Sequence, residues 1–396
     1  MTRRTRRGTA VIYSLGLIAL LSTLGSAILI RSLNESQLAS RSAARQCAFF
    51  LAEAGVDRAL VNLQTPTDAT DDVTSGALVT GTYQIPSPPV SLGSQLWRVT
   101  VQGSASQEQR HIEAVVQLSP QSIFQFALFG DQTVSVSGHA TTDSYDSRNG
   151  LYNGSAHGHN GDVGTNATAA GGIAVGGSIF VDGQLVVGPT VSNPSSVVTG
   201  FNPAFVTGGT SPPSDTQDVV SAPRSFPMSP VSAAGLTCAA FTVTGNTTKT
   251  LPADAPAGAC VGQTCCFTNL TVQGSGTLTA SSQVTVYVTG ELSAKGDSLI
   301  GVSSEPKRML FLLTNDSDAT LEEGTLTGST QFYGGIYGPQ STIKITGNAE
   351  IFGSVIAERV NVTGSAVIHY DEGLTQQTQI SNLFTTAITS WRELTN

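Results

Sequence analysis

The chain has 396 residues, a net charge of −9, 12% charged residues and 6% aromatics. That length exceeds one ordinary domain and implies at least two units. An acidic balance in which Arg3, Arg4, Arg6, Arg7 and Arg31 take five of only nineteen basic residues excludes a nucleic-acid partner.

Residues 10–30, AVIYSLGLIALLSTLGSAILI, carry no charge, and as a helix they would span about 31 Å, one bilayer crossing. Arg3, Arg4, Arg6 and Arg7 precede this run, and basic residues beside a first span are retained in the cytoplasm. The N-terminus is therefore expected inside and the bulk of the chain outside. A cleaved secretory signal using Gly25 and Ala27, or a plain signal anchor, are the competing readings. The apolar run continues to Ile30, and no proline interrupts the chain before Pro66, which favours a continuous helix from about residue 9 to 63, roughly 80 Å long. Residues 1–65 thus form a basic tip, a span and a helical extension. On the extension, Ala44, Ala48, Ala52, Gly55 and Ala59 recur at steps of three or four and set a stripe of small residues on one face. Phe49, Val56, Leu60 and Leu63 flank it.

RGTAVIYSLGLIALLS together with RSAARQCAFFLAEAGVDRAL, including the A-E-A-G of Ala52 to Gly55, resembles the N-terminus of PilX-type minor pilins. The resemblance covers about 60 residues. It implies insertion in the bacterial inner membrane, packing against other pilin-like subunits through the helix, entry into a type IV pilus or related pseudopilus, and a prepilin peptidase site between Gly8 and Thr9. Tyr13 then stands where major pilins carry a glutamate at the fifth mature position, which implies a minor subunit or an unprocessed anchor.

Residues 66–78 read as a polar linker, and TGTYQI, LWRVTVQG and RHIEAVVQL follow as strands of a small antiparallel meander within 66–120, packed on the helix. From residue 121 a phrase repeats: VSVSGHATT at 134, FTVTGNTTK at 241, LTVQGSGTL at 270, VYVTGELSA at 286, and last LTGSTQFYGGIY, ITGNAEIFGSVI and VTGSAVIHYDEG, with Gly328, Gly347 and Gly364 spaced by 19 and 17 residues. Periods of this kind predict a mainly β chain ending in a β-solenoid, a parallel β-helix-like domain over 121–396, with an irregular β-sandwich as the alternative. Eight prolines between 189 and 230 predict a long protruding loop. Cys238, Cys260, Cys265 and Cys266 follow that loop. In an exported chain they predict two disulfides; a bond between neighbouring Cys265 and Cys266 is strained, which leaves Cys238 paired with one of them and Cys260 with the other. Zinc is the competing reading, without the usual C-x-x-C spacing.

DSYDS at 143, the stretch GPQSTIKITGNAEIFGSV and the closing IHYDEGL resemble an uncharacterised β-repeat domain that often follows PilX-type N-termini, over roughly residues 120–376. The resemblance implies architecture and surface display.

A glycan-cleaving β-helix enzyme, a polysaccharide lyase or hydrolase anchored in the envelope, is the rival from another class, and it needs paired carboxylates on one face. Asp143 with Asp146, Asp316 with Asp318, and Asp371 with Glu372 are the candidates, each read more simply as a turn or cap carboxylate. His157 and His159 with Asp162 are the transition-metal candidates. Asn315, Asp316, Asp318, Glu322 and Glu323 are the calcium candidates. No catalytic, cofactor-binding or metal residue is assigned, and no cofactor is expected, calcium at Asp316 and Asp318 being the alternative. The expectation is a membrane-anchored, pilus-associated structural protein at the cell surface, with a surface ligand as a further partner.

Overall fold

The computed structural model describes residues 6–66, 72–155, 157–200, 202, 206, 218–314, 323–326, 328–378 and 383–394. Asn315, Asp316, Asp318 and Glu322 lie outside them. The chain divides into two compact units, one from residues 1–63, 72–118 and 386–396, the other from 64–71 and 119–385.

The first unit is built on a helix of 57 residues, Arg6–Asn62. Nothing in its sequence breaks a helix, and its end is held by Asn62, whose Nδ2 donates to the Val73 carbonyl at 3.1 Å. From Ile12 to Ala43 every residue is exposed, Leu17, Leu20, Leu24 and Ile28 among them. This part is long and apolar enough to cross a membrane. From Ala44 onward one face becomes covered, and Ala48, Leu51, Ala52, Gly55, Val56, Ala59 and Leu63 are buried.

What covers that face is a six-stranded sheet, in the order Ser75–Leu78, Gly81–Gln84, Leu96–Ala105, Glu108–Gln121 and Leu383–Leu394, with Val90–Gly93 also pairing to Leu96–Ala105. The ladders from Ser75–Leu78 to Glu108–Gln121 are antiparallel. Alternation along the strands turns Val99, Val101, Ile112, Ala114 and Val116 inward and leaves intervening residues wet. Helix and sheet approach at backbone distance: a Cβ on Gly103 would lie 2.0 Å from the Ala48 carbonyl oxygen, and one on Gly55 2.4 Å from Val101 Cγ1. The small-residue stripe is therefore filled by the protein's own sheet. The sheet also takes a strand from the far C-terminus, so the repeat expected over 121–396 does not run to the chain end.

The second unit carries twenty strands among its described residues. Nearly all of the pairings are parallel. Several short strands join the one three places along the chain: Thr277–Ala280 with Leu299–Ile300, Val284–Val288 with Met309–Leu313, and Leu292–Gly296 with Glu323–Leu326. The long strands Gln331–Gly347 and Glu350–Asp371 pair directly with each other, and the parallel ladders run in register from one pairing to the next. Cys265, Val286, Phe311, Ile336 and Val355 form one column of paired positions, all buried. The last three T-G phrases lie at a corner, stacked on Gly296. Gly296, Gly328, Gly347 and Gly364 have φ of +79°, +80°, +77° and +104°, and sit on one another so that a Cβ on Gly364 would lie 2.4 Å from the Gly347 oxygen. Only glycine fills such a column.

Spatial order differs from chain order. The strand Glu350–Asp371 pairs with Leu128–Val136 and His139–Tyr145, the first strands of the unit. From this seam the column continues through Leu128, Val163, Leu185 and Val219 in one direction, and in the other it runs back to Cys265. The proline-rich segment does not simply protrude. Val198–Thr199 pairs with Ile173–Val175, Val219–Ser221 pairs with Leu185–Val187, and Val197, Val198, Val206 and Val219 are buried. Valines between the prolines supply inward side chains, while Pro194 opens a short 3-10 turn. In the outermost turn on the other side, Cys238 is bonded to Cys266 and Cys260 to Cys265, with Cα separations of 4.5 and 4.0 Å; Cys47 is a free thiol.

Candidate functional site

The seam brings two motifs of the sequence side by side. DSYDS and IHYDEGL lie on neighbouring strands, with His369 opposite Asp143, Tyr370 opposite Ser144 and Asp371 opposite Tyr145. His369 is buried, its Nδ1 2.6 Å from Asp143 Oδ1 and its Nε2 3.5 Å from Glu350 Oε1. The Tyr152 hydroxyl donates to Asp143 Oδ2 at 2.6 Å, and its ring lies 3.7 Å from that of His369. Burial and the Asp143 carboxylate both hold the Tyr152 phenol above its ordinary range, so it remains a donor. Phe352 stacks on Tyr333 at 4.4 Å and completes an aromatic wall.

Asp371 is fully buried. Its Oδ1 accepts from the Ser147 and Gly373 amides, both at 2.9 Å, and burial raises its pKa. Glu372 Oε1 accepts from Ser144 Oγ and Asn160 Nδ2, both at 2.9 Å. Asp146 takes the Arg148 guanidinium at 2.7 Å, which holds its carboxyl below the usual range. Asp143, Asp146, Asp371 and Glu372, weighed above for glycan cleavage, thus each accept from donors of their own chain, and the bonds from Ser144, Ser147, Tyr152 and Asn160 tie the seam together.

Residues 144–160 carry the two histidines. His159 Nδ1 is 2.8 Å from each oxygen of Asp182, His157 Nε2 is 3.1 Å from Asp182 Oδ2, and His157 Nδ1 is 3.0 Å from the Gly154 carbonyl. Asp182, almost fully buried, closes the strand Ser178–Val181. The acid expected here was Asp162. It turns away instead, its Oδ1 accepting from the Gln184 amide at 2.7 Å, and burial raises its pKa. The signal for Asp182 was the period itself, since the acid lies about one turn of the stack beyond Asp162.

Among known proteins, the family described as a domain of unknown function, DUF7305, matches residues 265–377. No curated protein matches the chain. Among solved structures, the competence-associated pilin ComZ from Thermus thermophilus is 12% identical, with 89% of this chain and 97% of that one covered and a TM-score of 0.33. The DUF3494 domain of ice-binding protein 1 from Shewanella frigidimarina is 14% identical, with 63% and 95% covered and a TM-score of 0.24. Neither score carries a functional inference.

Proposed function

We propose that the chain is a membrane-anchored, pilus-associated structural subunit of a bacterial envelope, of the minor-pilin kind, which displays a β-solenoid for assembly or surface contact. One observation carries the reading: a single helix is wholly exposed and apolar over its first part and buried against its own sheet from Ala44 onward. Apolar residues exposed along such a length need lipid or other helices to cover them. The PilX-type residues of the same helix support pilin-like neighbours as that cover, and the arginines before the span support an N-terminus in the cytoplasm. In-register columns of Val, Ile and Phe with stacked corner glycines support the solenoid reading of the repeat.

Fractionation tests the proposal. The protein should stay with the inner membrane after an alkaline wash and appear in sheared pili. N-terminal sequencing should find an uncut chain or one beginning at Thr9. A soluble protein beginning at Ile28 would show a cleaved signal and end the pilin reading, and depolymerisation of a polysaccharide by the purified chain would replace it with the enzyme reading.

A further inference from the structure

We propose that His157, His159 and Asp182 bind one divalent transition-metal ion of the zinc class. One ligand atom from each of the three lies within 4.8 Å of the others. The spacing H-G-H produces this convergence. Gly158, between the histidines, is anchored to the seam strand through both backbone groups, its N–H donating to the Ser144 carbonyl at 2.6 Å and its carbonyl accepting from the Ser144 N–H at 3.2 Å. With Gly158 fixed in this way, the imidazoles on either side of it both reach the one carboxylate of Asp182. Asp182 is held from the next turn, its N–H donating to the Thr142 carbonyl and its carbonyl accepting from Gly161, both at 2.8 Å.

Hydrogen bonding leaves one nitrogen of His157 for a ligand role. The Gly154 carbonyl only accepts, so Nδ1 of His157 is the donor there and Nε2, 3.1 Å from an Asp182 oxygen, is the nitrogen turned to the cluster. One metal ion would meet both imidazoles, whose centroids are 5.8 Å apart, and the buried carboxylate together. The distances suit coordination. Ligands about 2.1 Å from a metal are separated by about 2.9 to 3.4 Å for angles between octahedral and tetrahedral. His157 Nε2 lies 3.1 Å from an Asp182 oxygen, inside that range, and His159 Nδ1, at 2.8 Å, lies just short of it. Gly154 is then the outer partner that fixes the His157 tautomer, as such partners do around metal-bound imidazoles. Two imidazoles with one carboxylate select zinc, nickel or cobalt over calcium and magnesium. The His159 side chain is 58% exposed, which leaves an entry path and a position for water.

The test is calorimetric titration of the full chain, in detergent and stripped with a chelator, with zinc chloride. The expected result is one zinc per chain and a higher Tm, with no response to calcium. His157→Ala and His159→Ala should each weaken binding at least about tenfold, while Cys47→Ser and His139→Ala leave it unchanged. Circular dichroism shows whether each variant is folded; His159, being exposed, is the substitution least able to disturb the fold. Zinc uptake that survives both histidine substitutions, uptake lost with Cys47→Ser, or no uptake by the unaltered chain would overturn the proposal.

Discussion

Nδ1 of His369 lies 2.6 Å from Oδ1 of Asp143, although 226 residues separate them along the chain. The last turn of the second unit therefore closes on its first. Replacing Asp143 with Ala strands both the buried imidazole and the Tyr152 hydroxyl. A loss of about 3 kcal/mol is expected in chemical or thermal unfolding. Asp146→Ala, which removes the more exposed pair with Arg148, the cap on the Arg148 amide and the bond from Asn149, should cost less, about 1 kcal/mol. Equal losses would mean that the seam contact is not special.

Corner glycines give a second prediction. Gly364 combines a φ of +104° with a Cβ position 2.4 Å from the Gly347 oxygen. Gly364→Ala should destabilise the second unit by about 3 kcal/mol or more, because strain and a backbone clash add. Retention of the wild-type Tm would contradict the stacked-corner account.

Helix packing separates two glycines on one element. A side chain on Gly55 meets Val101 and Tyr83, whereas Gly25 has nothing within 4 Å. Gly55→Leu should remove hydrogen-exchange protection from residues 96–118 and leave that of 331–371 intact. Gly25→Leu should change neither.

Acid titration probes Asp371. Burial holds its folded pKa above the unfolded value of about 3.9. The folded chain then binds this proton more tightly than the unfolded one, so the contribution to stability is complete below about pH 4 and is lost as pH rises through the folded value. The stability of wild type relative to Asp371→Asn should fall as pH is raised across that interval. A difference that does not change with pH would refute the assignment.

Much of the fold was legible because local pattern determines it. An uncharged run of helix formers, small residues at steps of three and four, and T-G corners at near-constant spacing each fix their element within a few turns. The strand Leu383–Leu394 was missed because most of its residues stay exposed in the folded chain, which weakens the alternation a half-buried strand displays. Proline density hid Val198 and Val219, whose inward role depends on neighbours one turn away. The seam was beyond local reading altogether. Both of its motifs were visible, but nothing in either encodes that His369 meets Asp143. Asp182, rather than Asp162, stands beside the histidines because Ser178–Val181 pairs with His139–Tyr145, a placement the repeat period carries.

The exposed half of the helix bears most directly on the central claim that the chain works as a pilin-like subunit. A photo-crosslinking residue at Ile28, which is 65% exposed, would be activated in living cells and its adducts identified by mass spectrometry. The account predicts adducts with the N-terminal helices of other pilin-like subunits, recovered from the inner membrane and from sheared pili. Adducts with lipid alone, in a protein absent from pili, would contradict it.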